Sequence, residues 1–337
     1  MRSKYETLYP MKILDKILPE DKWNRKWAAV GITVAISVLL TVFGIYGVGQ
    51  YGLALFILTP LFMGAGSTVL YGYKGKITHK EAFYVGLLTL TVFTVGLIML
   101  AIEGLICIAM VAPIAILLTW IGSLIGYSML KKIPDQAVMP VILLMLAIPM
   151  TAFVEKQTEP TLTAVVTSIE INATPETVWN NVVEFPELDE PTEFLFKTGI
   201  AYPINAKIEG SGVGAVRHCN FTTGSFVEPI TVWDKPNLLK FKVIEQPAPM
   251  KEISFWDIDA PHLHDYFVSK QGQFKLTALP NGNTRLEGTT WYYHNIKPAF
   301  YWKPWSNYII HQIHNRVLNH IKVVSENRKG GLGSNFS

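Results

Sequence analysis

Histidine pairs are the first residues in this chain whose spacing suggests chemistry. His262 and His264 flank Leu263, and His311 and His314 stand three apart. A His-x-His in a strand points both rings one way, and His-x-x-His does the same on a helix. Four such ligands suit zinc. The pairs are far apart in sequence, however, and polar surface or satisfied hydrogen-bond partners explain them equally simply. No cofactor is expected, and these four are only weak metal candidates.

A second set of polar residues sits on predicted strands: Arg217, His218, Arg285, Glu287, Tyr292 and His294. Some must point inward, and a buried polar group needs a partner. Arg217 with Glu287 is the expected pair. The chain shows no nucleophile elbow, phosphate-cradling glycine loop or dinucleotide fingerprint. General acid–base chemistry through scattered pocket residues stays open, because it needs no linear motif.

A third candidate is the proline-punctuated stretch 246–261, which carries Met250, Ile253, Phe255, Trp256 and Ile258. That is more apolar material than a surface loop needs. Phe255 and Trp256 are read as part of a lid over a cavity mouth or of a loop that dips into a bilayer. Packing of the loop on its own domain is the alternative.

These residues are positioned by a chain of two characters. Half of its 337 residues are hydrophobic and only 16% are charged, against about a quarter charged in ordinary soluble proteins. The excess is concentrated before residue 155. Formal charge divides as +4 up to residue 155 and −1 after it. A near-neutral C-terminal half lacks the basic face that nucleic-acid binding requires. Cys107 and Cys219 fall in different halves, so no internal disulfide is expected.

Five apolar runs, at about 27–48, 51–71, 83–101, 105–130 and 138–153, are each read as a membrane span. They form a transmembrane domain over 27–155, after a basic N-terminal segment 1–26. Met11, Leu14 and Leu18 in that segment share a face suited to a short surface helix, a plain basic tail being the alternative. The basic residues cluster in the N-terminus, at Lys74, Lys76 and Lys80, and at Lys131 and Lys132. The positive-inside rule puts all of these in the cytoplasm. Five spans then place the remainder on the opposite side, in a bacterial inner or plasma membrane. The spans lack mid-membrane ionisable residues, which argues for an anchor or assembly surface rather than a transporter.

After a linker at 156–161, the pattern changes to strands split by turn residues. Leu162–Asn172 alternates with period two. Thr174-Pro175 opens a helix through Trp179, and a second short helix is expected over Glu187–Phe196. Six strands follow, the last two over Asp265–Ala278 and Asn283–Tyr293 and joined at Asn281-Gly282. A helix from Tyr301 to Val324 closes the domain. Trp302, Trp305, Ile309, Ile313, Val317, Ile321 and Val324 form its apolar stripe. The fold class is α+β, with an all-α transmembrane bundle in front and a flexible tail at 328–337.

The order of elements resembles the START-like helix-grip superfamily, also called SRPBCC, which includes polyketide cyclases and lipid-transfer domains. Three motifs carry the resemblance within 162–327: Ile169–Trp179 as the entry strand, turn and helix, Gly212–Arg217 as the glycine-led strand, and Gly288–Tyr292 before the terminal helix. The resemblance implies a curved antiparallel sheet around the long C-terminal helix, with an apolar ligand cavity between. Cavity and lid candidates are then Arg217, Phe255, Trp256, Glu287, Trp291, Trp305, Ile309 and Ile313. The function expected is binding of a hydrophobic small molecule or lipid, without defined catalysis. The alternatives are a cyclase- or hydratase-type enzyme in the same cavity, and a sensor or assembly factor whose bundle contacts a membrane-protein partner.

Overall fold

The computed structural model describes residues 14–157 and 159–331. Contacts divide the chain into two compact units. One takes the chain up to residue 158 together with Ser254–Ile258, and the other takes Glu159–Ile253 and the chain from Asp259 onward.

The first unit is helical. Helix α1 (Lys22–Val42) starts where Asp21 accepts a hydrogen bond from the Asn24 N–H at 2.8 Å, and it runs on into a π-helical stretch, Phe43–Val48. After a turn, a second π-helical stretch, Ala54–Leu58, leads into α2 (Thr59–Gly72). Then come α3 (His79–Met99), opened by a Thr78–Glu81 capping box, α4 (Leu105–Lys132) and α5 (Val138–Glu155). These segments make five helices long and apolar enough to cross a membrane. Their bounds differ from the expected ones by a few residues, mostly because polar residues such as Lys22–Lys26 and Glu155 continue the helical turns.

Small residues let these helices touch. A Cβ on Gly122 of α4 would lie 2.3 Å from the Leu61 carbonyl oxygen, and one on Gly64 of α2 would lie 2.1 Å from that of Thr119. Backbone meets backbone there, the use of small residues familiar from membrane helices. Hydroxyls are buried there among apolar side chains such as Val30, Phe62, Met63 and Val69: Thr33, Ser37, Ser67, Thr68 and Thr89 are fully covered. At one end, Lys22 pairs with Glu81 at 2.5 Å and Lys74 with Glu20 at 2.7 Å, while the Arg25 Nε donates to the Tyr71 carbonyl at 3.0 Å. Residues 14–17 are helical and Leu18 is buried; Met11 lies outside the described residues. At the other end, the Glu155 carboxylate accepts hydrogen bonds from the backbone N–H groups of Leu53 (2.8 Å) and Ala54 (3.4 Å). It caps the start of the second span, where a helix leaves its first donors unsatisfied.

The second unit is a seven-stranded antiparallel sheet with a long helix. Its strands are β1 (Thr163–Ile171), β2 (Pro203–Glu209), β3 (Val216–Phe221), β4 (Gly224–Asp234), β5 (Leu238–Lys242), β6 (Phe267–Ala278) and β7 (Thr284–His294), and their order in the sheet is β1-β7-β6-β5-β4-β3-β2. Two short helices, α6 (Pro175–Val183) and α7 (Phe194–Lys197), fall between β1 and β2, and α8 (Ala299–Gly331) ends the unit. Strands β2 through β7 lie side by side in chain order, each antiparallel to the next, with the long segment 243–266 between β5 and β6, while β1 crosses to pair with β7. This is the helix-grip architecture. Its core gathers Trp179 and Val182 of α6, Ile171, Ile230, Leu239 and Leu286 of the sheet, and Val317, Leu318 and Ile321 of α8.

Two expectations change. The second short helix does not span Glu187–Phe196; only Phe194–Lys197 is helical. Phe185 bridges Ala206, and the Leu188 N–H donates to the Ile204 carbonyl at 2.7 Å, so this stretch runs extended beside β2. Pro186 and Pro191 hold the residues before them out of the helical region. The buried stripe of α8 is also rotated from the expected one. Trp302, Ile310, Val317, Leu318, Ile321 and Ser325 are buried, whereas Trp305, Ile309 and Ile313 are only partly covered.

Candidate functional site

Sheet and helix do not close completely. A cavity of about 120 Å³, partly open to the outside, lies between β3–β7 and α8. Phe221, Phe226, Phe241, Phe267 and Phe274 supply aromatic wall, and Ile310, Ile313, His314, Val317 and Leu318 supply the helix side. Two polar groupings break the apolar lining.

The first is centred on Arg217, which is 2% exposed. Register places Arg217 of β3 directly opposite Glu228 of β4, and its guanidinium Nη1 donates to the Glu228 carboxylate. Its Nε donates to the carbonyl of Val183, the last residue of α6, at 3.1 Å. A cation at a helix C-terminus is favourably placed. The rings of Phe185, Phe241 and Phe274 lie 5.5–5.7 Å from the guanidinium carbon, within cation–π range. Burial pushes the Glu228 carboxyl above its usual range, against the pull of Arg217. Burial also pushes the neighbouring Cys219 thiol up to about 12, which leaves it protonated and unreactive.

The second grouping is centred on His314. Its Nδ1 lies 2.9 Å from the Thr167 hydroxyl of β1, and its Nε2 lies 2.8 Å from the Thr290 hydroxyl of β7. The same Thr167 hydroxyl lies 2.7 Å from Nδ1 of His311. Burial, helped by nearby His311, lowers the pKa of His314 to about 4, so the ring is neutral at pH 7.

Of the residues singled out from the sequence, Arg217, Ile313 and His314 line the cavity. Arg217 pairs with Glu228 and not with Glu287. On β7, Leu286, Gly288 and Tyr292 face the helix and are buried, so Glu287 has the opposite parity; its cross-strand neighbours are Ser168 and Lys275. Trp291 shares that outer parity, with the Lys240 ammonium 5.2 Å from its ring centre. Trp305 and Ile309 are partly exposed and line no part of the cavity. Phe255 is 89% exposed, and neither it nor Trp256 lines the cavity.

The four histidines do not form one ligand set. His262 and His264 lie at a 3₁₀ turn, not on a strand, so their rings are not held to one side. His262 is 4.0 Å from Glu252 and His264 is 2.5 Å from Asp259, while His311 and His314 bond Thr167. The residues missed from sequence are Glu228, Thr167, Thr290 and the phenylalanines. Strand parity alone marks Glu228 and Thr167 as inward candidates, but their partners follow only from strand order.

No protein-family profile matches the sequence, and a search of curated proteins gives no match. Solved structures similar to the second half include norcoclaurine synthase from Thalictrum flavum, at 16% identity over 51% of this chain and 99% of that one, with a TM-score of 0.33. XoxI from Bacillus cereus is similar at 16% identity, covering 50% of this chain and 98% of its own, with a TM-score of 0.33. Aha1 from Colwellia psychrerythraea is similar at 15% identity, covering 49% and 96%, with a TM-score of 0.30. The helix-grip assignment rests on the strand order and on α8, not on these likenesses.

Proposed function

We infer that the second unit binds a small apolar molecule between its sheet and α8, and that the five helices hold it at a membrane. The observation that carries this reading is the hollow itself, walled by phenylalanines and containing one buried ion pair. Pockets for small ligands have this composition, mostly apolar with a few fixed polar groups. Size then decides between ligands. Drug-sized molecules occupy roughly 300–1,000 Å³, and a dry cavity of ~150 Å³ accepts benzene. At about 120 Å³, the hollow suits a ring-sized molecule and is too small for a whole lipid. The helix-grip architecture accommodates this reading without selecting it, because that fold hosts carriers, enzymes and receptors alike.

The spans are placed with residues 14–26, the 73–78 turn and the end of α4 at the cytoplasmic face. The Lys22–Glu81 and Lys74–Glu20 pairs gather basic segments at one end of the bundle, as that placement requires. The second unit then emerges on the opposite side. Native mass spectrometry of the full chain, released from its own membranes, tests the ligand. A bound mass of a small organic molecule is expected, and it should be lost in Gly288→Leu. A Cβ on Gly288 meets only ordinary contacts at 3.7–3.9 Å, so the larger side chain enters the hollow. No bound mass, with no uptake of toluene, removes the carrier reading. A C-terminal reporter active only in the cytosol removes the placement.

A further inference from the structure

The hydroxyls and imidazoles around α8 form a continuous hydrogen-bonded chain: Thr290, His314, Thr167, His311. Thr290 and His314 line the cavity at one end. His311 is partly exposed at the other. Each link is 2.7–2.9 Å, the length of a good hydrogen bond. Neutral imidazole has one donor and one acceptor nitrogen, and a hydroxyl is both donor and acceptor. The chain therefore has two self-consistent orientations. In one, His311 donates to Thr167, Thr167 to His314 Nδ1, and His314 Nε2 to Thr290, which leaves the Thr290 proton free for an acceptor in the cavity. In the other, every bond is reversed and the Thr290 oxygen receives a donor from the cavity.

We propose that these four residues are a proton relay between solvent and the cavity. The ligand it serves is a ring-sized molecule with one oxygen, a phenol or an enolisable carbonyl compound. Passing one proton inward converts the first orientation to the second. His311 gives its Nδ1 proton to Thr167, Thr167 gives its own to His314 Nδ1, His314 gives its Nε2 proton to Thr290, and Thr290 gives its proton to a phenolate or enolate oxygen. His311 takes a proton from water at Nε2. Each protein group ends neutral, the ligand gains one proton and the solvent loses one; the reverse sequence carries a proton out. Burial keeps His314 uncharged, which suits transfer through neutral groups. The remaining titratable groups in the cavity wall, Arg217, Glu228 and Cys219, are engaged with one another on β3 and β4.

This relay rests on the ligand-cavity reading, and the test separates the two. The full chain, ¹⁵N-labelled at histidine and held in lipid nanodiscs, is titrated with toluene, phenol and benzaldehyde. All three are expected to bind. Phenol should place the His314 proton on Nδ1 and benzaldehyde on Nε2, read from the ring nitrogen shifts, with toluene neutral between them. Thr290→Val should abolish that difference and weaken phenol and benzaldehyde roughly threefold to tenfold, the worth of one net hydrogen bond, while toluene binds as before. If toluene binds and the two oxygen ligands leave His314 in the same tautomer, the relay is wrong and the cavity stands. The relay is also wrong if Thr290→Val keeps the tautomer response. If none of the three binds, both readings fall.

Discussion

The two units treat glycine in opposite ways. In the helical unit a Cβ at Gly122 or Gly64 would sit 2.1–2.3 Å from a neighbouring carbonyl oxygen, so only glycine fits and the backbones are in contact. In the sheet unit Gly288 stands beside Leu318, Phe274 and His314 with room for a methyl group, and it borders a hollow. Both regions are rich in apolar residues. One spends its small residues on bringing helices together, and the other leaves the space empty. Interiors are normally packed to crystal density, and the space beside the paired Arg217 departs from that rule; the proposed ligand site rests on this departure.

The cysteines report on the units separately. Cys219 is buried on β3, so its labelling rate measures the opening of the sheet unit, while the partly covered Cys107 in α4 reports changes in the packing around it in the helical unit. Arg217→Met should produce the largest change. It leaves Glu228 buried without its cation and should cost the sheet unit about 3–5 kcal/mol, seen as much faster labelling of Cys219 with Cys107 unaffected. Adding Glu228→Leu should restore most of the loss. A single variant as stable as the parent would mean that the pair is not closed in solution.

Acid should be next. His314 and His262 each have a pKa lowered by burial to about 4, from an ordinary 6.5. Between those values the unfolded chain binds more protons than the folded one, so stability falls as pH drops from 6.5 towards 4. Each ring contributes on the order of 3 kcal/mol across that window. Cys219 labelling should accelerate there, and His314→Gln should flatten part of the slope. A profile unchanged by that substitution would show His314 to be solvated.

Gly122→Ala should cost the helical unit about 1–3 kcal/mol through overpacking, visible as faster Cys107 labelling alone. A silent substitution would break the contrast drawn above. Gly288→Ala is the smallest and has the opposite sign. It should stabilise the sheet unit by about 0.5–1 kcal/mol, because glycine is the poorer strand residue, while reducing the room for ligand.

Much of this was legible in the sequence. Period-two alternation in Leu162–Asn172 and the Asn281-Gly282 turn located β1 and the β6–β7 hairpin, because local pattern and local structure coincide there. The pairing of Arg217 was not legible, since parity gives a face and not a neighbour; only strand order sets Glu228 opposite it. The spacing in α8 predicts a stripe that differs from the buried one by part of a turn. The spacing predicts aromatic Trp305 and aliphatic Ile309 as core, yet the sheet closes over Ile310 and Leu318. The polar chain on His314 was hidden because two of its members, Thr167 and Thr290, are ordinary strand residues 123 positions apart that meet only across the β1–β7 pairing. The buried hydroxyls of the bundle carry no charge, so they leave no mark in the charge pattern of the spans.

The position of Glu155 bears on how the membrane part is isolated. Apolar content alone puts the end of the fifth span at Phe153, and a chain cut there would appear to keep every helix. It would lose the carboxylate that closes off the start of the second span through Leu53 and Ala54. A cut two residues later keeps that clasp, so the shorter fragment should fray at the Gly49–Gly52 turn while the longer one holds.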